Sequence, residues 1–166
     1  MTFRIVTVCT GNICRSPMAE YALRDALEQA GLGEAAQVSS AGTSAWEVGN
    51  PIDPRAGALL RRHGIDSEAH IARQMEDEEL READLVLALD HDHVDPLRRA
   101  LGERAEQTLR MMRDFAPTPV EDTGIRDPWY GDESGFETTW EQIDEAVAAI
   151  VDHVRTHVEQ DVREGR

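Results

Sequence analysis

Val8-Cys9-Thr10-Gly11-Asn12-Ile13-Cys14-Arg15-Ser16-Pro17 is the stretch from which the rest of this 166-residue chain is read. Before it, Phe3 to Val8 is an apolar, β-branched run that predicts a buried strand. Gly11 and Asn12 tolerate unusual backbone dihedrals, so the chain turns there. Ser16-Pro17 reads as an N-cap followed by the first helical position. Met18, Ala19, Ala22, Leu23, Ala26 and Leu27 then recur at helical spacing, predicting a helix over 18–30 that stops at Gly31. Strand, tight loop and helix N-terminus in that order form a cradle of backbone N–H groups suited to a tetrahedral oxyanion.

The side chains give that cradle a chemistry. A thiolate at Cys9 would be stabilised by the same N–H groups and could attack phosphorus, giving a phosphocysteine that water hydrolyses. Arg15 presents a bidentate fork to two phosphate oxygens. Asn12 is expected to hold the loop through its own side chain, and Ser16 to donate its hydroxyl to the thiolate as well as cap the helix. The loop has no Walker A spacing, and Cys9 and Cys14 form neither a thioredoxin-type C-x-x-C pair nor part of a zinc set. Cys14 reads either as packing against the first helix or as a partner that forms a reversible disulfide with Cys9 under oxidation.

Working outward, short strands are expected at Gln37–Ser40, Leu85–Leu89 and Thr108–Met112. Helices are expected at Pro54–His63, Glu76–Arg81, His93–Leu101 and Glu137 to about Glu159. Strands alternating with helices predict an α/β fold with a four-stranded parallel sheet, helices on both faces and ligands at the carboxyl ends of the strands. Residues 1–160 are expected to form one domain, with 161–166 as a charged tail that frays. Residues 115–135, rich in Pro, Gly, Asp and Thr, read as a long functional loop.

A departing alkoxide or phenoxide needs an acid, which a thiolate cannot supply. Asp127 in Asp127-Pro-Trp-Tyr130 is the preferred candidate, with Pro128 stiffening the chain and Trp129 and Tyr130 as apolar walls. Asp114, Glu121, Asp122 and Asp132 compete on the same loop. Asp90-His-Asp-His93 lacks EF-hand spacing, and histidines at i and i+2 do not share a helix face. It is read as a polar helix start, with Asp90 as the cap, so no metal and no cofactor are expected. The formal charge of −16, from 17 basic and 33 acidic residues, argues against a nucleic-acid or anionic membrane partner. No apolar run approaches the ~20 residues of a membrane span, and the opening segment is too short for a signal peptide. The expectation is a cytoplasmic protein, although leaderless export leaves no such mark.

At these residues the chain resembles the low-molecular-weight protein tyrosine phosphatase family. The likeness rests on Val8 to Glu20, Ser39-Ser-Ala-Gly-Thr43, Gly49-Asn-Pro51, Arg62-His-Gly-Ile65 and Asp127-Pro-Trp-Tyr-Gly131, and runs from about Phe3 to about Val154. It implies strand order 2-1-3-4, with the phosphate loop after strand 1. It implies Cys9 as nucleophile, Arg15 as phosphate clamp and Asp127 as general acid, then base. Thr10, Gly11, Asn12, Ile13, Cys14 and Ser16 would form the phosphate loop, supported by Ser40 and His70. Trp46, Trp129 and Tyr130 would line a slot for a phenyl ring. The implied partner is a phosphotyrosine-containing protein or peptide, with inorganic phosphate as product. Trp129 stands where Tyr is usual. Protein-arginine phosphatases of the same fold usually carry Thr at the position of Ile13, and arsenate reductases need extra cysteines that Leu80–Asp90 lacks. A phosphoarginine hydrolase and a non-catalytic phosphotyrosine-binding protein remain the alternatives.

Overall fold

The computed structural model describes residues 1–166. Its sheet comprises β1 (Phe3–Cys9), β2 (Ala36–Gly42), β3 (Leu85–Ala88) and β4 (Leu109–Met111). The order is β2-β1-β3-β4 and every pairing is parallel, as the resemblance implied. Cys9 lies opposite Gly42 and Val8 opposite Ala88, so the loops leaving β1, β2 and β3 emerge at one edge.

The pleat sends alternate side chains to two cores. Phe3, Ile5 and Cys9 of β1, with Leu85 and Leu87 of β3, face α1 (Arg15–Gln29), α2 (Pro54–Arg62) and α6 (Glu133–Glu164). Val6 and Val8, with Val86 and Ala88, face α3 (Asp77–Glu82) and α4 (Val94–Leu101) on the other side. A one-turn α5 (Ala105–Thr108) leads into β4. Each fully buried aliphatic side chain, Leu23, Leu60, Leu87 and Ile143 among them, contributes about 1.5–3 kcal/mol.

Three boundaries differ from expectation. The first helix starts at Arg15, and Ser16 does not cap it: its hydroxyl is taken by Cys9 Sγ and Asn12 instead. The last helix starts at Glu133, because Asp132 accepts from Ser134 N (3.0 Å) and caps a turn that looked loop-like in sequence. It also runs on through the expected tail to Glu164, before Gly165 in the left-handed region. The long loop keeps a 3₁₀ turn over Pro128–Tyr130, capped by Asp127.

β2 meets the phosphate loop so closely that only glycine fits at its end. A Cβ on Gly42 would stand 2.6 Å from the Thr10 carbonyl oxygen and 3.3 Å from the Gly11 carbonyl carbon. Backbone cannot swing aside as a long side chain does. Gly42→Ala is expected to lower stability by about 1–3 kcal/mol, the usual cost of overpacking. Gly33→Ala, whose Cβ would be 3.6 Å from its nearest neighbour, should stay within about 0.5 kcal/mol of the parent in urea unfolding.

Candidate active site

Cys9 ends β1, and the next five residues turn into α1. The N–H groups of Gly11, Asn12, Ile13, Cys14 and Arg15 meet no acceptor within the protein. They form a run of donors at the N-terminus of a 15-residue helix. Asn12 makes the turn with φ of 60°, the one non-glycine residue at positive φ. Its buried side chain holds that conformation: Nδ2 donates to Ser16 Oγ and Ser40 Oγ, each at 2.9 Å, and Oδ1 accepts from Arg73 N at 3.0 Å. His70 Nε2 donates to the Asn12 carbonyl at 2.7 Å. Asp53 N donates to the Ile13 carbonyl at 2.9 Å, tying the start of α2 to the loop.

Ser16 Oγ lies 2.9 Å from Cys9 Sγ. Both cysteines are free thiols, and Cys14 is buried. Burial raises the Cys14 pKa far above its ordinary range, reinforced by the charges of Asp53, Cys9 and Asp127 and opposed by Arg55. Cys14 is therefore a thiol.

Arg15 is almost fully enclosed, and its direction is fixed from outside the loop. Nη1 donates to the Ile125 carbonyl at 2.9 Å and pairs with Asp90 Oδ2 at 3.3 Å, while Nη2 lies 3.5 Å from Asp127 Oδ2. Asp127 Oδ1 accepts from Trp129 N at 3.1 Å, which fixes its carboxylate at the head of the 3₁₀ turn. Gly124 closes around Asp90: a Cβ there would stand 2.4 Å from Asp90 Oδ1.

One cavity gathers Cys9, Thr10, Gly11, Ile13, Cys14, Arg15 and Asp127 at its base and sides, with Trp46, Glu47, Trp129 and Tyr130 at its rim. Trp46 and Tyr130 are each 82% exposed and Trp129 is 50% exposed, large apolar surface held open at one mouth. Trp129 and Tyr130 meet edge-to-face with centroids 5.0 Å apart. The arrangement offers a thiol, a run of donors, a fixed guanidinium, a carboxyl group and an aromatic slot.

A family model described as low molecular weight phosphotyrosine protein phosphatase matches residues 4–162. The chain belongs to that family. It is 43% identical over 161 residues to a low molecular weight protein-tyrosine-phosphatase of Streptomyces coelicolor, covering 96% of this chain and 98% of the other. Among solved structures it is similar to a protein tyrosine phosphatase from Entamoeba histolytica with Hepes in the active site. That match has a TM-score of 0.84 and 27% identity, covering 99% of each chain. It is also similar to a Drosophila arginine phosphatase, with a TM-score of 0.81 and 27% identity over 90% of this chain and 96% of that one.

In this member of the low molecular weight phosphatases, every residue assigned to the site by the resemblance lies in the cavity or directly behind it, whereas the competing acids Asp114, Glu121, Asp122 and Asp132 do not line it. Ser16, Ser40, Asn12 and His70 stand behind the loop and do not line the cavity. Asp90 is more than the expected helix cap, since its other oxygen braces Arg15. Sequence reading missed His93, Arg73, Asp53 and Gly124. Asp90 and His93 were the findable ones, because they follow β3 at the edge where ligands bind.

His93 is buried, and its ring tautomer is set by its partners. Asp90 N donates to Nδ1 at 3.0 Å, so the ring proton sits on Nε2, 2.9 Å from Thr10 Oγ1. Burial, with help from the Arg15 charge, lowers its pKa from 6.5 to about 3. Between those values the unfolded chain binds a proton that the folded chain does not, so stability is lost as pH falls. Unfolding free energy should drop below pH 6.5 with a contribution approaching about 1.4 kcal/mol per pH unit from this site. Urea titrations of the parent and His93→Gln across pH 4–7 (roughly the span between the two pKa values) should diverge by that slope.

Proposed function

We propose that this chain is a protein tyrosine phosphatase that hydrolyses phosphotyrosine monoesters through a phosphocysteine, with Cys9, Arg15 and Asp127 as its catalytic residues. The observation that carries the reading is the cradle: five consecutive uncommitted N–H groups around a thiol, with a guanidinium held in place beside it.

Asn12 donates to Ser16 Oγ, so the Ser16 hydroxyl proton goes to an acceptor, of which Cys9 Sγ at 2.9 Å is nearer than the Ala41 carbonyl at 3.5 Å. A thiolate at Cys9 would accept it, so Ser16 supplies the nucleophilic sulfur with a hydrogen bond. The thiolate attacks phosphorus as the bond from phosphorus to the phenolic oxygen breaks. Arg15 and the loop N–H groups hold the three equatorial oxygens, whose charge is greatest in the transition state. Asp127, beside the same guanidinium, gives its proton to the departing oxygen. In the second half, water attacks the phosphocysteine, Asp127 takes the water proton, and the sulfur leaves as thiolate with release of inorganic phosphate.

Selection follows from the mouth. Trp46, Trp129 and Tyr130 offer flat apolar faces to a phenyl ring, and Ile13 places an apolar side chain at the cavity wall. An aryl phosphate gains from all four. A phosphoarginine guanidinium would meet Glu47 at the rim but would lie against the apolar Ile13 and leave the three rings without a phenyl partner, so the likeness to an arginine phosphatase is the weaker guide. The same site needs no cofactor or metal in this scheme. We assign the activity to one domain, residues 1–160, acting in the cytoplasm on phosphotyrosine-containing proteins or peptides rather than on nucleic acids or membranes. Two free cysteines, the acidic charge and the lack of any helix long and apolar enough to cross a membrane support that assignment.

Cys9→Ser should abolish turnover of phosphotyrosine peptides. Asp127→Asn should lower kcat by about 10²–10⁴-fold on phenyl phosphate and much less on p-nitrophenyl phosphate, whose leaving group needs no acid. Preferential release of phosphate from phosphoarginine peptides, or parental rates in Cys9→Ser, would overturn the assignment.

A further inference from the structure

We propose that Thr10 donates a further hydrogen bond to the bound phosphoryl group, and that His93 is the positioning residue that aims it. The proposal rests on the phosphatase reading above. Thr10 lines the cavity between Cys9 and the first residue of the donor cradle, Gly11. Its backbone is fixed from β2's side, because its carbonyl accepts from both Ser44 N (3.1 Å) and Ser44 Oγ (3.0 Å). Its hydroxyl is fixed from β3's side by His93.

The direction of each proton follows from the partners. Asp90 N can only donate, so His93 Nδ1 accepts and Nε2 carries the ring proton. Nε2 then donates to Thr10 Oγ1 at 2.9 Å. A hydroxyl that accepts this bond still has its own proton to give, and Thr10 Oγ1 has no acceptor within the protein. Burial keeps the imidazole neutral, so the ring neither repels Arg15 nor loses its acceptor nitrogen. The O–H is thereby turned away from the imidazole and left for an acceptor outside the protein, and in a residue that lines the cavity a phosphoryl oxygen would accept it. Arg15 is tied to the same unit, since Asp90 supplies the N–H that orients His93 and the carboxylate that braces Arg15. One buried turn after β3 thus aligns two donors, a guanidinium and a hydroxyl.

The test uses inorganic phosphate as a competitive inhibitor together with kcat and KM on phosphotyrosine peptide. Thr10→Val keeps the shape and removes the proton. It should weaken phosphate binding and lower kcat/KM by about tenfold or more, as expected for a hydrogen bond to a charged group. Thr10→Ser should recover most of that loss. His93→Phe should match Thr10→Val in phosphate affinity, and His93→Gln, which restores an N–H near Nε2, should recover it in part. The double variant Thr10→Val/His93→Phe should bind phosphate no more weakly than the worse single variant, because both remove one bond. Parental phosphate affinity in Thr10→Val, an equal loss in Thr10→Ser, or additive losses in the double variant would overturn the proposal. Because the parent enzyme is assayed alongside, absence of aryl phosphatase activity in it would overturn the phosphatase reading separately.

Discussion

Asn12 is held in a conformation that asparagine adopts at a cost, and the rest of the site depends on its being held there. A left-handed residue in the middle of the loop turns successive peptide N–H groups inward. Such strain, of order 1 kcal/mol, persists only where surrounding bonds over-determine it. Here four hydrogen bonds do so, and their partners come from β2, from the segment of His70 to Arg73 and from α1. The functional loop is thus fixed from three separate stretches of the chain at once.

The charge of the chain and the chemistry of its cavity run in opposite directions. A net −16 repels dianions at long range, yet screening limits that field to about 8 Å at physiological salt. Inside the cavity the nearest groups are peptide N–H donors and a guanidinium. Arg15 faces two carboxylates, Asp90 and Asp127, which serve different ends. Asp90 is walled in by Gly124 and His91 N and stays in place as a brace. Asp127 sits on an exposed turn at the cavity mouth, where a proton can be exchanged with the substrate and with water.

Much of this was legible in the order of residue types. Phe3–Val8 gave a strand because β-branched residues run unbroken, and Cys9 and Arg15 stood out by their spacing after it, whereas Asp127 was one acid among several on its loop until the adjacent aromatic pair and the family resemblance singled it out. Ser16 divides: its hydroxyl lies against Cys9 Sγ as expected, but the N-cap that Ser-Pro signals by propensity does not form. Asp132 was overlooked because Gly131, Ser134 and Gly135 around it look like loop, although its carboxylate starts the longest helix. Gly124 carries no local pattern at all. Its role exists only once the segment after β4 lies beside the end of β3, as the bond from Ile125 N to the Leu89 carbonyl places it (2.8 Å).

A loop whose geometry is completed by bonds to its own chain has a thermodynamic corollary. An anion settling into it orders almost nothing, so the association should leave the heat capacity of the protein nearly unchanged. The aromatic mouth differs: three exposed rings lose hydration when a phenyl group enters, and burial of apolar surface lowers heat capacity. The two halves of one ligand therefore carry separate calorimetric signatures, the phosphoryl group nearly temperature-independent in its enthalpy and the ring steeply dependent. In this molecule the division between affinity for charge and discrimination by shape is drawn where Cys9 and its loop give way to Trp46, Trp129 and Tyr130.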